Sequence, residues 1–385
     1  MKRLILILIP TVMMFSGSYL EPKLDLFNLF GTGVLQNDFN EEKELKLNYG
    51  KTLEIDLQTG ADIKISGWDK ELVNIKSSFT GKDADNVELS FEESSSGLKI
   101  TTDFLKRRHR NNSSGKIELM VPKKLNVDIS TMGGDVTVEN INGKLEGKTM
   151  GGDLSFSKLD GYLDFTTMGG KISLTNSNVN GSVKTMGGEV IVEDVTGDVN
   201  AESMGGKVIQ RNVKSSKNSG NEVKIKTMGG PIELDEALNG ADVSTMGGEI
   251  LVGKVNNFLK AETMGGNIEV EELNGWIKAK TMGGKIEVKM VGDPSKGKRD
   301  VRLTSMGGDI YLTVPADLPM DIEIEIVYNE DDKVEIESEV DLIEKVEDSS
   351  KWNNSKKLIA TGKTGSGKNK IYISTINGNV HLKKS

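Results

Sequence analysis

The sequence predicts an all-β fold: a parallel single-stranded β-helix, or β-solenoid, of about 11 turns of 18 residues, two of them 24, with β-strand caps at both ends. Three observations carry this prediction. A Thr/Ser-Met-Gly-Gly tetrapeptide recurs at a fixed step. Aliphatic residues lie at constant offsets from it. The composition, with 44 Gly, 7 Pro and 5% aromatic residues, lacks the large side chains that fill one thick core.

The tetrapeptide begins at Thr131, Thr149, Thr167, Thr185, Ser203, Thr227, Thr245, Thr263, Thr281 and Ser305, in steps of 18, 18, 18, 18, 24, 18, 18, 18 and 24 residues. An altered copy is Thr375-Ile376-Asn377-Gly378. Five residues after each Thr/Ser stand Val136, Leu154, Ile172, Val190, Val208, Ile232, Ile250, Ile268, Ile286 and Ile310. Seven after, all but Gln210 are apolar, from Val138 and Phe156 to Leu312. Two and four before lie pairs such as Val127/Ile129 and Val301/Leu303. Apolar residues two apart mark strands with alternate side chains inward. Each unit is therefore expected to hold two short strands, separated by a polar turn such as Asn142-Gly143. A unit this small buries its face only by stacking on the next.

Two other 18-residue architectures are excluded. A left-handed hexapeptide helix needs aliphatics every six residues, yet Asn142, Asp160, Asn178 and Thr196 stand eleven after Thr. A calcium-binding nonapeptide roll needs an acidic ladder, yet Lys171, Lys207 and Lys285 follow Gly-Gly. The recurring Met is expected to fill the corner of each turn and stack in the core, because Ile376 replaces it in the altered copy. The Thr hydroxyls are expected to bond to one another or to backbone at that corner.

Outside the repeat, residues 1–18 read as a signal peptide: Lys2 and Arg3, an apolar run from Leu4 to Phe15, then Ser16-Gly17-Ser18. Residues 19–46 read as a linker, 47–126 as an N-terminal β cap, 127–318 as the solenoid, and 319–385 as C-terminal strands, a polar loop (348–370) and a last rung. Caps are expected because open solenoid ends expose unpaired strand edges. No later stretch is long and apolar enough to span a membrane. The expected location is extracytoplasmic: periplasm, cell surface or secreted.

The chain has no Cys and a net charge of −9. Without Cys there are no disulfides, thiolate metal sites or cysteine-linked lipid. Net acidity argues against a general nucleic-acid binder. Both 24-residue steps place their excess at one phase, between Val213 and Val223 and between Val291 and Val301. Both loops should leave one edge, carrying Lys214 and Lys217 on one and Lys296, Lys298 and Arg299 on the other. These five residues are the candidate contacts to an anionic envelope or surface partner.

Several segments resemble a known family: Asp62-Ile63-Lys64-Ile65-Ser66-Gly67-Trp68-Asp69, Val73-Asn74-Ile75, Ile117-Glu118-Leu119-Met120-Val121-Pro122, the Thr-x-Gly-Gly rungs, and Ile371-Tyr372-Ile373-Ser374-Thr375-Ile376-Asn377-Gly378. Together they resemble the bacterial "putative adhesin" β-strand-repeat family of unknown function and, more distantly, autotransporter adhesin heads. The resemblance covers Lys43 to the C-terminus. It implies an exported single-stranded β-helix with no established catalytic residues and no cofactor.

Catalytic signals are weak. There are two His, His109 and His381, too few for a multi-histidine metal site. Gly362, Gly367 and Lys368 are spaced as in a phosphate loop, but Asn369 replaces the required Ser/Thr. The expected function is a non-catalytic envelope or surface scaffold that binds a partner. The alternatives are a periplasmic accessory in envelope-stress signalling or assembly, and a polysaccharide-acting β-helix enzyme.

Overall fold

The computed structural model describes residues 39–106, 113–214, 222–329, 331–348 and 355–385. The fold is all-β: its strands join one large mixed sheet, and a single 3-10 turn, Ala84–Asn86, is the only helical element among the described residues. Within the repeat every pairing is parallel. Leu154 pairs with Ile172, Ile172 with Val190, and Val190 with Val208. The series continues through Ile232, Ile250, Ile268, Ile286 and Ile310 to Val380. Both 24-residue steps preserve this register.

The alternation read from the sequence is the burial pattern observed. The offsets of two and four before Thr and five and seven after it are buried, mostly as Val, Ile and Leu, except at the half-buried Gly147 and Gly181. A further inward position lies ten residues after Thr, at Ile141, Leu159, Val195, Val213, Ala237, Val255 and Leu273. It escaped the sequence reading because the corner before it breaks the two-residue period. That corner is left-handed backbone in five successive units, at Asn140 (φ 61°), Lys158 (54°), Asn176 (49°), Asp194 (54°) and Asn212 (48°). Asn and Asp tolerate this conformation best among residues with a side chain. The expected break between two short strands is absent in three units, where pairing runs through the bend as Ile172–Thr185, Ile250–Glu262 and Ile268–Lys280.

At the tetrapeptide the expectation for Met is reversed. The motif Thr and Ser residues are buried, and the ten Met beside them are 42–57% exposed. The cause is parity: Val127 and Ile129 point inward, so Thr131 points inward and Met132 outward. The buried hydroxyls bond to backbone. Thr185 Oγ1 donates to Gly170 O of the preceding unit at 2.8 Å and accepts from Gly188 N at 3.1 Å. Ser203, Thr245, Thr263 and Thr281 repeat the pattern. The second glycine lies against the unit below: a Cβ on Gly188 would sit 2.1 Å from Gly170 O.

Both ends of the ladder are built out of sequence order. Strands β1 (Phe39–Lys46), β2 (Thr52–Leu57), β3 (Asp62–Trp68), β4 (Leu72–Thr80), β5 (Val87–Glu93), β6 (Gly97–Phe104) and β7 (Ser114–Pro122) precede β8 (Asn126–Thr131) and β9 (Val136–Glu139). The earlier β2 and β3 lie between β6/β7 on one side and β8/β9 on the other, all parallel. Strands β5 and β4 then cover β6 and β7 antiparallel, and β1 covers β4.

The C-terminal end repeats the device. Asn369–Ile376 and Val380–Lys384 insert between Val301–Thr304/Ile310–Val314 and Met320–Asn329/Ile336–Ser338. The expected last rung is therefore an interior layer. The expected polar loop over 348–370 contains the strand Ser355–Lys363, antiparallel to both Met320–Asn329 and Ile343–Asp348. Charged edge strands such as Phe39–Lys46 and Ile343–Asp348 discourage further pairing.

The two motif glycines should respond oppositely to a methyl group. Gly188→Ala should destabilise by about 2 kcal/mol or more through its backbone clash. Gly151→Ala, where a Cβ meets nothing within 4 Å, should stay within about 0.5 kcal/mol. Denaturant unfolding of both variants measures the contrast.

Candidate functional site

The described members of the five predicted contact residues differ in their surroundings. Lys214 is exposed, its backbone tied to Val195 and Gly197 at 2.8 and 2.7 Å. Lys217 lies outside the described residues. Lys296 pairs with Asp293 and Lys298 with Asp300, each at 3.2 Å.

Arg299 corrects the expectation outright: it is 2% exposed. Its Nε donates to Asp293 O and Lys296 O, both at 3.1 Å, and its Nη1 to Val291 O at 2.7 Å. Its Nη2 donates to Asn274 Oδ1 at 2.7 Å. A guanidinium has donors enough to close a loop of carbonyls on itself. Arg299 holds the 24-residue turn together and faces no partner. In the same loop Asp293 accepts from the Ser295 hydroxyl and amide and pairs with Lys296, which holds its carboxyl down to about 2.

The face beside these loops has a different chemistry. The ladder pairs Tyr162 with Asn180 and Phe258 with Trp276, and the pairings that begin just after Asp198, Glu222, Gly240 and Asp300 place these residues along the same outward column. Aromatic rings stand apart on it. Tyr162 is 39% exposed, and Phe258 stacks on Trp276 with centroids 5.2 Å apart and planes 17° apart. The Phe258 ring lies where a Cβ on Gly240 would be, 2.3 Å from its nearest atom, so Gly240 makes room for it. Lys298 caps the stack, 5.4 Å from the Trp276 ring.

Between Tyr162 and Phe258 runs a groove of about 590 Å³ lined by short polar residues, among them Asn180, Asp198, Asn200, Glu222 and Asn239. Glu222 is paired with Lys224 at 3.1 Å. Beyond Trp276, Arg302 lies over the Tyr372 ring at 4.6 Å, and Tyr372 donates to Glu325 at 2.9 Å. Writing the units beneath one another exposes this column in the sequence, because its aromatic residues stand on equivalent phases.

The exposed Met form the second feature. Backbone bonds fix their spacing: Met150 N donates to Thr131 O at 3.2 Å, and Met168 N to Thr149 O at 3.2 Å. Met186, Met204, Met228 and Met246 share a shallow groove of about 460 Å³. Of the two His, His109 lies outside the described residues. His381 is bonded to Glu337 at 2.7 Å and stacked on Tyr311. No group of three or more His, Cys, Asp or Glu among the described residues could hold a metal ion, and no described helix is long and apolar enough to cross a membrane.

No protein-family model and no curated protein matches the chain. Solved structures do. A "putative adhesin" of Parabacteroides distasonis is 14% identical over 72% of this chain and 97% of its own, with a TM-score of 0.35. A "putative lipid binding protein" of the same organism is 18% identical over 67% of this chain and 98% of its own, with a TM-score of 0.32. A "putative cell adhesion protein" of Clostridium sporogenes is 11% identical over 90% of this chain and 100% of its own, with a TM-score of 0.18.

The roles of the loop cations separate by stability. Arg299→Ala should cost about 2–4 kcal/mol, because it orphans buried acceptors. Lys296→Ala and Lys298→Ala should stay within about 0.5 kcal/mol. Chemical unfolding measures both. The Asp293 carboxyl is depressed in the folded state. Its contribution is therefore present above the ordinary carboxylate range and is lost as pH falls through about 2. Replacing it by Asn should remove that low-pH phase from the unfolding profile.

Proposed function

We propose that this chain is an exported, non-catalytic β-solenoid of adhesin-like character that holds a glycan chain along the face between Tyr162 and Trp276. The residues before the repeat would direct export and cap the rod, and residues 319–385 would cap the other end. In-register parallel pairing supports the solenoid reading. The signal-like start, Lys2-Arg3 followed by Leu4 to Phe15, supports export.

One observation carries the ligand: aromatic rings bound a groove whose floor is amide and carboxylate. Five steps separate Tyr162 from Phe258, about 24 Å at roughly 4.8 Å per strand. That is room for an oligosaccharide rather than a single sugar. Aromatic faces accept the C–H faces of sugar rings. Asn side chains supply donors and acceptors for hydroxyls, and carboxylates accept from them. The site is built on strands, so it needs little ordering on binding.

The adjacency of Asp198 and Glu222 favours a second, hydrolytic reading. Two carboxylates about 5 Å apart suit a retaining glycosidase. Against it, the Glu222–Lys224 ion pair occupies one of the two carboxylates.

A glycan array followed by affinity electrophoresis tests the proposal. The full chain should retain an oligosaccharide, and Phe258→Ala with Trp276→Ala should weaken binding at least tenfold, about 1.4 kcal/mol. Unchanged retention by that double variant would sink the reading. Liberation of reducing ends, abolished by Glu222→Gln, would replace it with the hydrolytic one.

A further inference from the structure

We infer that the exposed Met edge is a linear binding site for soft monovalent metal ions, copper(I) or silver(I), held between thioethers of consecutive units. This goes beyond the glycan reading and stands on a different face of the ladder.

The first support is spacing. Consecutive motif positions are paired in register, as Thr131 with Thr149, Thr149 with Thr167, and Thr167 with Thr185. Strands paired this way lie about 4.8 Å apart. A zinc–thiolate bond is about 2.3 Å; at a similar length, one ion between two sulfurs spans roughly 4.6 Å. The backbones that carry adjacent Met therefore stand at the separation that two-coordinate binding needs. The 24-residue steps do not interrupt the series. Gly229 N donates to Met204 O at 3.1 Å, and Met246 N to Met228 O at 3.2 Å, so Met204, Met228 and Met246 remain successive neighbours.

The second support is access. Each of these Met is 42–57% exposed, a position where the fold asks for no apolar volume. The residue after Met is Gly in all ten copies. At Gly133 and Gly151 a Cβ would meet nothing within 4 Å, whereas at Gly187, Gly205, Gly229 and Gly247 it would come within 3.0–3.3 Å of a carbonyl of the unit below, so packing accounts for glycine at those four. Glycine's effect is to leave the thioether unobstructed.

The third support is selectivity. Thioethers are soft neutral donors that favour Cu(I) over harder ions. Among the described residues, competing ligands are few. The chain has no Cys, His381 is engaged with Glu337, and no described cluster of His, Cys, Asp or Glu is suited to a divalent ion. Lys184 and Glu202, which flank the shared groove, pair with each other at 3.6 Å, and Lys226 lines it as well, so no net negative charge draws a hard cation there and the sulfurs alone must hold an ion. A thioether has no proton to lose, so binding should not depend on pH as it does for thiolate or imidazole sites.

The test is a silver(I) titration of the full chain in chloride-free buffer, read by calorimetry and by the Met methyl signals in carbon–proton NMR. A bound stoichiometry of roughly five per chain is expected if each ion takes two sulfurs, with the same affinity at pH 5 and pH 8. Combined Met186→Leu, Met204→Leu, Met228→Leu and Met246→Leu substitution keeps size and apolarity. It should remove about two of those ions and leave the unfolding midpoint unchanged. Silver-free wild type, or equal stoichiometry in the leucine variant, would overturn the inference. Glycan binding by the same variant should be intact, so failure of either reading is recognised separately.

Discussion

Thr131 and Thr149 bond within their own corner, but from Thr167 to Ser305 the hydroxyl of each motif Thr or Ser touches two units at once. It accepts from the glycine amide of its own corner and donates to the glycine carbonyl of the unit below, as Thr245 does with Gly248 and Gly230. A buried polar side chain is costly unless satisfied, and here satisfaction demands that the next unit arrive in register. The second glycine imposes the same demand sterically, because only hydrogen fits against the preceding carbonyl. Register then sets everything outward of it. It aligns the aromatic column and spaces the Met-bearing corners, and both 24-residue steps keep it.

The same constraint explains the ends. A ladder of identical layers has two open edges, and each invites another chain. This protein folds segments from outside the repeat into the stack as interior layers, β2/β3 at one end and Asn369–Lys384 at the other. It then finishes each end with antiparallel strands. Apolar faces such as Ile371 and Ile373 are buried from both sides as a result.

Much of this was legible in the residues. The period, the parallel stacking, the inward offsets and the phase of the insertions follow from counting. The intercalated ends were not legible, because Leu53-Glu54-Ile55 and Val127-Asp128-Ile129 show the same alternation and nothing local says which neighbours which. The Met exposure was legible and was misread. Hydrophobic character suggested burial, whereas the parity of Val127, Ile129 and Thr131 already placed Met132 outside. Arg299 misled for the opposite reason. Its charge suggested a surface contact, but its five donors suit it to closing a loop. The aromatic face was hidden by sequence distance, since Tyr162 and Trp276 come together only when units are written in register.

Peroxide oxidation of the folded full chain, read residue by residue by mass spectrometry, tests this parity directly. Met290 and Met320 are fully buried, while the ten motif Met are exposed. The account predicts rapid oxidation of all ten at similar rates, with Met290 and Met320 protected until the chain unfolds. Protection of the motif Met alongside Met290 would contradict it.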